Sequence, residues 1–111
     1  MIPETLFDLV QIEENWGGPD DLTYRTVLAI FVPEAGTLRA AIRSADHAAL
    51  PRLAHTLRGA AINVGATRVA AAAGVLEHAA PQAVPVAIAA LDAALDATLA
   101  ALAAGGPGLD G

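Results

Sequence analysis

The chain has 111 residues, enough for one domain with a single core and too few for two. It is 55% hydrophobic but only 4% aromatic, rich in alanine and free of cysteine. That composition excludes disulfides and a cysteine-based metal site, and it suits closely packed helices better than a sandwich or barrel. The net charge of −6 argues against general nucleic-acid binding, yet five of the six basic residues, all arginine, fall between Arg39 and Arg68, where Asp46 is the only acid. Such a patch suggests a site for an anion or an acidic partner; the alternative is an ordinary solvated helix face.

The opening stretch "MIPETLFDLVQIEEN" carries acids early and lacks the basic region and long apolar run of a signal peptide, so a cytoplasmic protein is expected. Leu6, Leu9 and Val10 stand at helical spacing and predict a short amphipathic helix over 3–14. "NWGGPDD" at 15–21 is a break, with glycines to end one helix and Pro19, Asp20 and Asp21 to begin the next. A long helix is expected from Leu22 to about Ser44, bearing Leu28, Phe31, Ala35, Leu38 and Ile42. Pro33 predicts a kink there, or two shorter helices.

The next segment is "SADHAALPRLAHTLRGAAINVGA", with Ser44 or Asp46 as the cap and Pro51 tolerable in the first turn. Leu50, Leu53, Leu57, Ala61 and Val64 form its apolar stripe, and Asn63 and Gly65 mark its end. Residues 66–79 form a further helix with Val69, Ala73 and Leu76 inward; "APQAVP" at 80–85 is a turn; 86–104 makes a last helix bearing Ile88, Leu91, Leu95, Leu99 and Leu102. The apolar run over 83–104 has the length of a membrane span, but its alanines and the pair Asp92 and Asp96 point to a bundle helix instead. The architecture expected is all-α: an antiparallel four-helix bundle with a short additional N-terminal helix. Residues 1–104 make the single domain and 105–111 a flexible tail.

One residue breaks the pattern of a plain bundle. At 100° per residue, His55 points about 200° away from both Leu53 and Leu57, opposite the apolar stripe. Arg52, Arg58 and Gly59 are its neighbours one turn away, with Ile62 two turns on. A neutral imidazole is a good nucleophile, and guanidinium groups beside it would meet an arriving phosphoryl group. A glycine inside a helix costs about 1 kcal/mol relative to alanine, so Gly59 needs a reason. Either it clears space for a partner to approach the ring, or it permits close helix packing.

The stretch "AHTLRGAAINVGATRVAAAAGVLE", residues 54–77, resembles the histidine-containing phosphotransfer (HPt) domain of multistep two-component signalling. The shared residues are His55, Arg58, Gly59, Ala60, Ala61, Gly65, Ala66, Leu76 and Glu77, with Leu38, Ala45, Asp46 and Leu50 in the approach, so the likeness spans about residues 28–77. The resemblance implies a phosphoryl group moving between His55 and an aspartate of a response-regulator receiver domain. By the same resemblance Arg58 steadies the phosphoryl oxygens, Gly59 leaves room for the receiver, and Glu77 orients the imidazole through Nδ1–H. The alternative for Glu77 is a solvated residue at a helix end. Arg52, Ala54 and Ile62 are the expected partner-binding surface.

A hybrid sensor histidine kinase is the implied upstream partner. The protein is expected to be a monomeric phosphocarrier rather than an enzyme, with no intrinsic cofactor and with Mg²⁺ held by the receiver. No nucleotide-binding motif is present in the sequence, so self-phosphorylation from ATP is not expected. Nor is a nucleic-acid or membrane partner. Three rivals remain: a non-catalytic adaptor of the same fold, a metal site built on His47, His55 and His78, and the phosphoacceptor module of a kinase. The spacing from His47 to His55 does not suit ligands on one helical turn.

Overall fold

A computed structural model describes residues 5–107 and contains, among them, five α-helices and no strand. The first, α1 (Leu9–Trp16), starts later than its leucines predict because the Asp8 carboxylate accepts the Gln11 N–H at 3.1 Å and fixes the helix start there. Its buried residue is therefore Ile12, while Leu9 and Val10 face outward. Residues 3 and 4 of the predicted helix lie outside the described residues. Helix α2 (Leu22–Ser44) is capped by Asp21 and runs unbroken through Pro33. Pro33 and Ala29, whose carbonyl loses its helical partner to the ring, are both exposed, so the missing bond falls on the wet side of the helix.

Helix α3 (Leu50–Asn63) takes Pro51 in its first turn, where the absent N–H costs nothing. Asp46 accepts the Ala49 N–H at 3.0 Å and shapes the turn before α3, whereas the Ser44 hydroxyl bonds back to Ala40. After the link Val64–Ala66 comes α4 (Thr67–Glu77), then a 3-10 turn (Pro81–Ala83) and α5 (Val84–Ala103). Helix α3 packs on α4, α4 on α5, and α2 closes the ring against both α3 and α5. Short links between packed neighbours force antiparallel directions, so the predicted four-helix bundle is the observed one.

The core takes many of the inward residues the periodicity implies, with Leu57, Ala61, Val69, Ala73, Leu91 and Leu95 all buried, whereas Leu38, Leu53, Ile88, Leu99 and Leu102 are only partly buried. Fully burying a leucine contributes about 1.5–3 kcal/mol, so a few such residues dominate the stability of the bundle. Helix α5 is long and apolar enough to cross a membrane, but it turns Ala87, Leu91, Ala94, Leu95 and Thr98 into the core.

Two expectations change on packing. Arg39 bonds Asp96 at 2.7 Å and Arg43 lies 3.2 Å from Asp92, so α5 neutralises two of the arginines counted in the basic stretch. A continuous cationic patch is therefore not formed. Residues 105–107, expected in the flexible tail, are instead tied to the bundle: Arg25 donates to the Gly105 carbonyl at 2.9 Å, the Gly106 N–H bonds to Ala101, and Pro107 is buried. The rest of the stretch expected to be a tail, 108–111, lies outside the described residues.

The end of α3 is sealed from a distance. Ala61 O and Ile62 O accept the Ala66 and Gly65 N–H groups locally, and three carbonyls at this end are also met by donors from the N-terminal third of the chain. Gln11 Nε2 reaches Ile62 O at 2.7 Å, Trp16 Nε1 reaches Asn63 O at 3.1 Å, and the Tyr24 hydroxyl reaches Val64 O at 2.7 Å. The Asp8 N–H then takes Gly65 O at 2.9 Å. Burial pushes the Tyr24 phenol up to about 12, with the nearby Arg25 charge opposing the shift, so this donor keeps its proton in the folded protein.

Candidate functional site

The inward stripe of α3 is Leu50, Ala54, Leu57 and Ala61, which leaves His55 on the outer side as the facing argument requires. Its side chain is 65% exposed. The short link from α3 to α4 makes an antiparallel pair in which His55 faces Glu77 and, one turn on, Arg58 faces Gly74. His55 Nδ1 lies 2.9 Å from Glu77 Oε2, and the Glu77 side chain is only 14% exposed. An ionised carboxylate can only accept, so the bond puts the ring proton on Nδ1 and leaves the Nε2 lone pair of the neutral ring available. A solvated glutamate at the helix end is thus not what the geometry contains.

Arg58 approaches the other carboxylate oxygen. Its Nε is 3.1 Å from Glu77 Oε1, close enough for an ion pair but not aligned as a hydrogen bond, and Oε1 has no hydrogen-bond partner. The terminal nitrogens of Arg58 meet no partner among the described residues, nor does the guanidinium of the exposed Arg52. One largely covered carboxylate therefore braces both the imidazole and the guanidinium stem. The His55 side chain stays 65% exposed and that of Arg58 37% exposed.

Gly59 separates the two explanations offered for it. A Cβ built there meets nothing within 4 Å, so no neighbouring helix needs the space. The gap faces outward beside the ring, as a partner's approach would require. Ile62 is 50% exposed and Arg52 is exposed, in keeping with a docking role, but Ala54 is fully buried and drops out of that surface. It lies four residues after Leu50 and three before Leu57, which places it in the middle of the inward stripe.

Sequence reasoning missed two features. Beside this face runs a groove of about 160 Å³ between α2 and α3, lined by Val27, Ile30, Phe31, Glu34, Ala60 and Asn63 among others. Ile30 within it is 61% exposed, a signal the α2 periodicity already carried. The second is Gly74, where a Cβ would sit 3.4 Å from Arg58 Cδ. His47 precedes α3 and His78 follows α4, and both are exposed; among the described residues no three metal-ligating side chains cluster.

A family model described as "Hpt domain" matches residues 26–105. No curated protein and no solved structure matches the chain. The family match takes in nearly all of α2 and the whole of α3, α4 and α5, well beyond the 28–77 stretch that carries the resemblance, and it includes every member of the His55 cluster. The chain belongs to the Hpt domain family.

Proposed function

We propose that this protein is a phosphorelay intermediate that exchanges a phosphoryl group between His55 and the aspartate of a receiver domain. The observation that carries the reading is the exposed imidazole of His55 tied through Nδ1 to a largely covered carboxylate, beside an open gap at Gly59. In the step, the Nε2 lone pair attacks the phosphorus of the aspartyl phosphate. The N–P bond forms, the P–O bond to the aspartate breaks, and the aspartate leaves as a carboxylate. The ring keeps its Nδ1 proton and so becomes cationic, a charge that Glu77 offsets from 2.9 Å. The reverse step returns the phosphoryl group and the neutral ring.

Arg58 supplies free guanidinium nitrogens to the equatorial oxygens, and positioning accounts for most of what this protein contributes. Mg²⁺ belongs to the receiver in this scheme. Ile62 and the groove between α2 and α3 offer apolar area to the receiver, and Arg52 offers a charge. Contacts of this transient kind are small. A hybrid sensor kinase is the matching phosphoryl source, and the carrier works as a monomer in the cytoplasm.

The second reading, an adaptor that binds a receiver without phosphotransfer, would be favoured by a buried or doubly bonded histidine, and His55 is neither. Incubation with a phosphorylated receiver separates the two. The wild type should take up label on an acid-labile bond, and His55→Gln should take up none while keeping its helical content. Label transfer that survives His55→Gln would remove the acceptor assignment.

A further inference from the structure

Gly74 has no backbone reason to be glycine. It lies inside α4, where glycine is among the least favourable residues, and its φ is not positive. The space it leaves is used by one neighbour alone: a Cβ there would first meet Arg58 Cδ at 3.4 Å. The aliphatic stem of Arg58 therefore lies across the bare backbone of α4, one turn before Glu77. From that seat Nε reaches Glu77 Oε1 at 3.1 Å, and the course of the stem decides where the two terminal nitrogens point.

Resting on the phosphotransfer reading, we propose that Gly74 is a positioning residue for the transfer, acting through Arg58. The missing side chain on α4 lets the arginine run flat along the α3–α4 seam instead of swinging into water. Its guanidinium is thereby fixed beside His55 before any phosphoryl group arrives. The entropy of ordering a long side chain is then met in folding rather than at the moment of transfer.

The test combines phosphoryl uptake from a phosphorylated receiver with the NMR resonance of the Arg58 Nε–H. Four variants are compared with the wild type: Gly74→Ala, Gly74→Val, Arg58→Ala and the Gly74→Val/Arg58→Ala pair. Gly74→Val should shift the Nε–H signal and slow uptake about tenfold, close to the loss in Arg58→Ala. In the Arg58→Ala background the valine should change the rate by less than about twofold, because the stem it displaces is gone.

Gly74→Ala, whose methyl group stands at the edge of contact, should show the same signs at smaller amplitude while melting at a higher temperature. A role in folding alone would move rate and melting temperature together. A valine that slows uptake equally with and without Arg58 overturns the proposal, as does an Nε–H signal that stays in place. No uptake by the wild type overturns the phosphotransfer reading itself, and the Nε–H signal still reports separately whether Gly74 seats the stem.

Discussion

Two glycines six residues apart in one motif do opposite work. At Gly65 the backbone sits at φ +72, and an added Cβ would come 2.8 Å from Ile12 Cγ1, so both conformation and packing require glycine. At Gly59 the backbone is ordinary helix and an added Cβ meets nothing. Gly65 closes the fold by turning α3 into α4 under α1, whereas Gly59 keeps a patch of surface low. A family motif thus mixes a glycine that the bundle requires with one whose space the bundle leaves empty. The free space around each glycine tells them apart.

The contrast has a steep side and a shallow side. Gly65→Val should be the most damaging change, since a β-branched residue at positive φ and a crowded core site together cost about 2–4 kcal/mol. Thermal unfolding followed by circular dichroism would show a loss on the order of 10–20 °C for a domain of this size. A variant melting within a few degrees of the wild type would erase the distinction.

Tyr24→Phe, which unseals the same corner by orphaning the Val64 carbonyl, should cost about 1–2 kcal/mol near neutral pH. It also carries a pH signature. The phenol titrates at about 12 in the folded chain against about 10 when unfolded, so its stabilising effect is complete below pH 10 and is lost as pH rises toward 12. Denaturant titrations from pH 9 to 12 should therefore show the wild type losing stability with a slope that the phenylalanine variant lacks. Parallel pH profiles would show that the Tyr24 hydroxyl is not held in its neutral form.

Gly59→Ala should move stability least and in the other direction, with a gain of up to about 1 kcal/mol from helix propensity. Gly59→Leu should fold equally well yet take up phosphoryl more slowly, because in the proposed transfer the added bulk stands where the receiver would approach. Destabilisation by the alanine would make Gly59 a packing glycine like Gly65.

Much of this was legible in the sequence because it depends on local periodicity. The facing of His55, the ends of α2 and the α3–α4 turn all follow from spacings within two or three helical turns. Ala54 was misjudged because a small residue beside a polar one looks like surface, although its spacing to Leu50 and Leu57 sets it inward. The pairing of Arg39 and Arg43 with Asp92 and Asp96 could not be read, since it exists only once α2 and α5 pack together. Gly74 was visible as a letter, but its meaning lies in the stem of Arg58 on another helix. The start of α1 was lost for a simpler reason: the Asp8 cap outweighs a leucine spacing that would have begun the helix earlier.

His55, Arg58, Gly59, Gly74 and Glu77 all belong to a single helical hairpin closed by the short link Val64–Ala66. Bringing them together requires the closure of one small loop, which is entropically the cheapest long-range event in the bundle. Helices α2 and α5 then serve as a stand for this hairpin and contribute no side chain to the His55–Glu77–Arg58 cluster. Beyond their apolar faces they hold a short set of polar ties, the Tyr24 hydroxyl, Arg25 and the pairs of Arg39 and Arg43 with Asp96 and Asp92, and α2 lines one side of the groove. Chemistry carried by so local a unit can be inherited intact while the rest of the domain is rewritten around it.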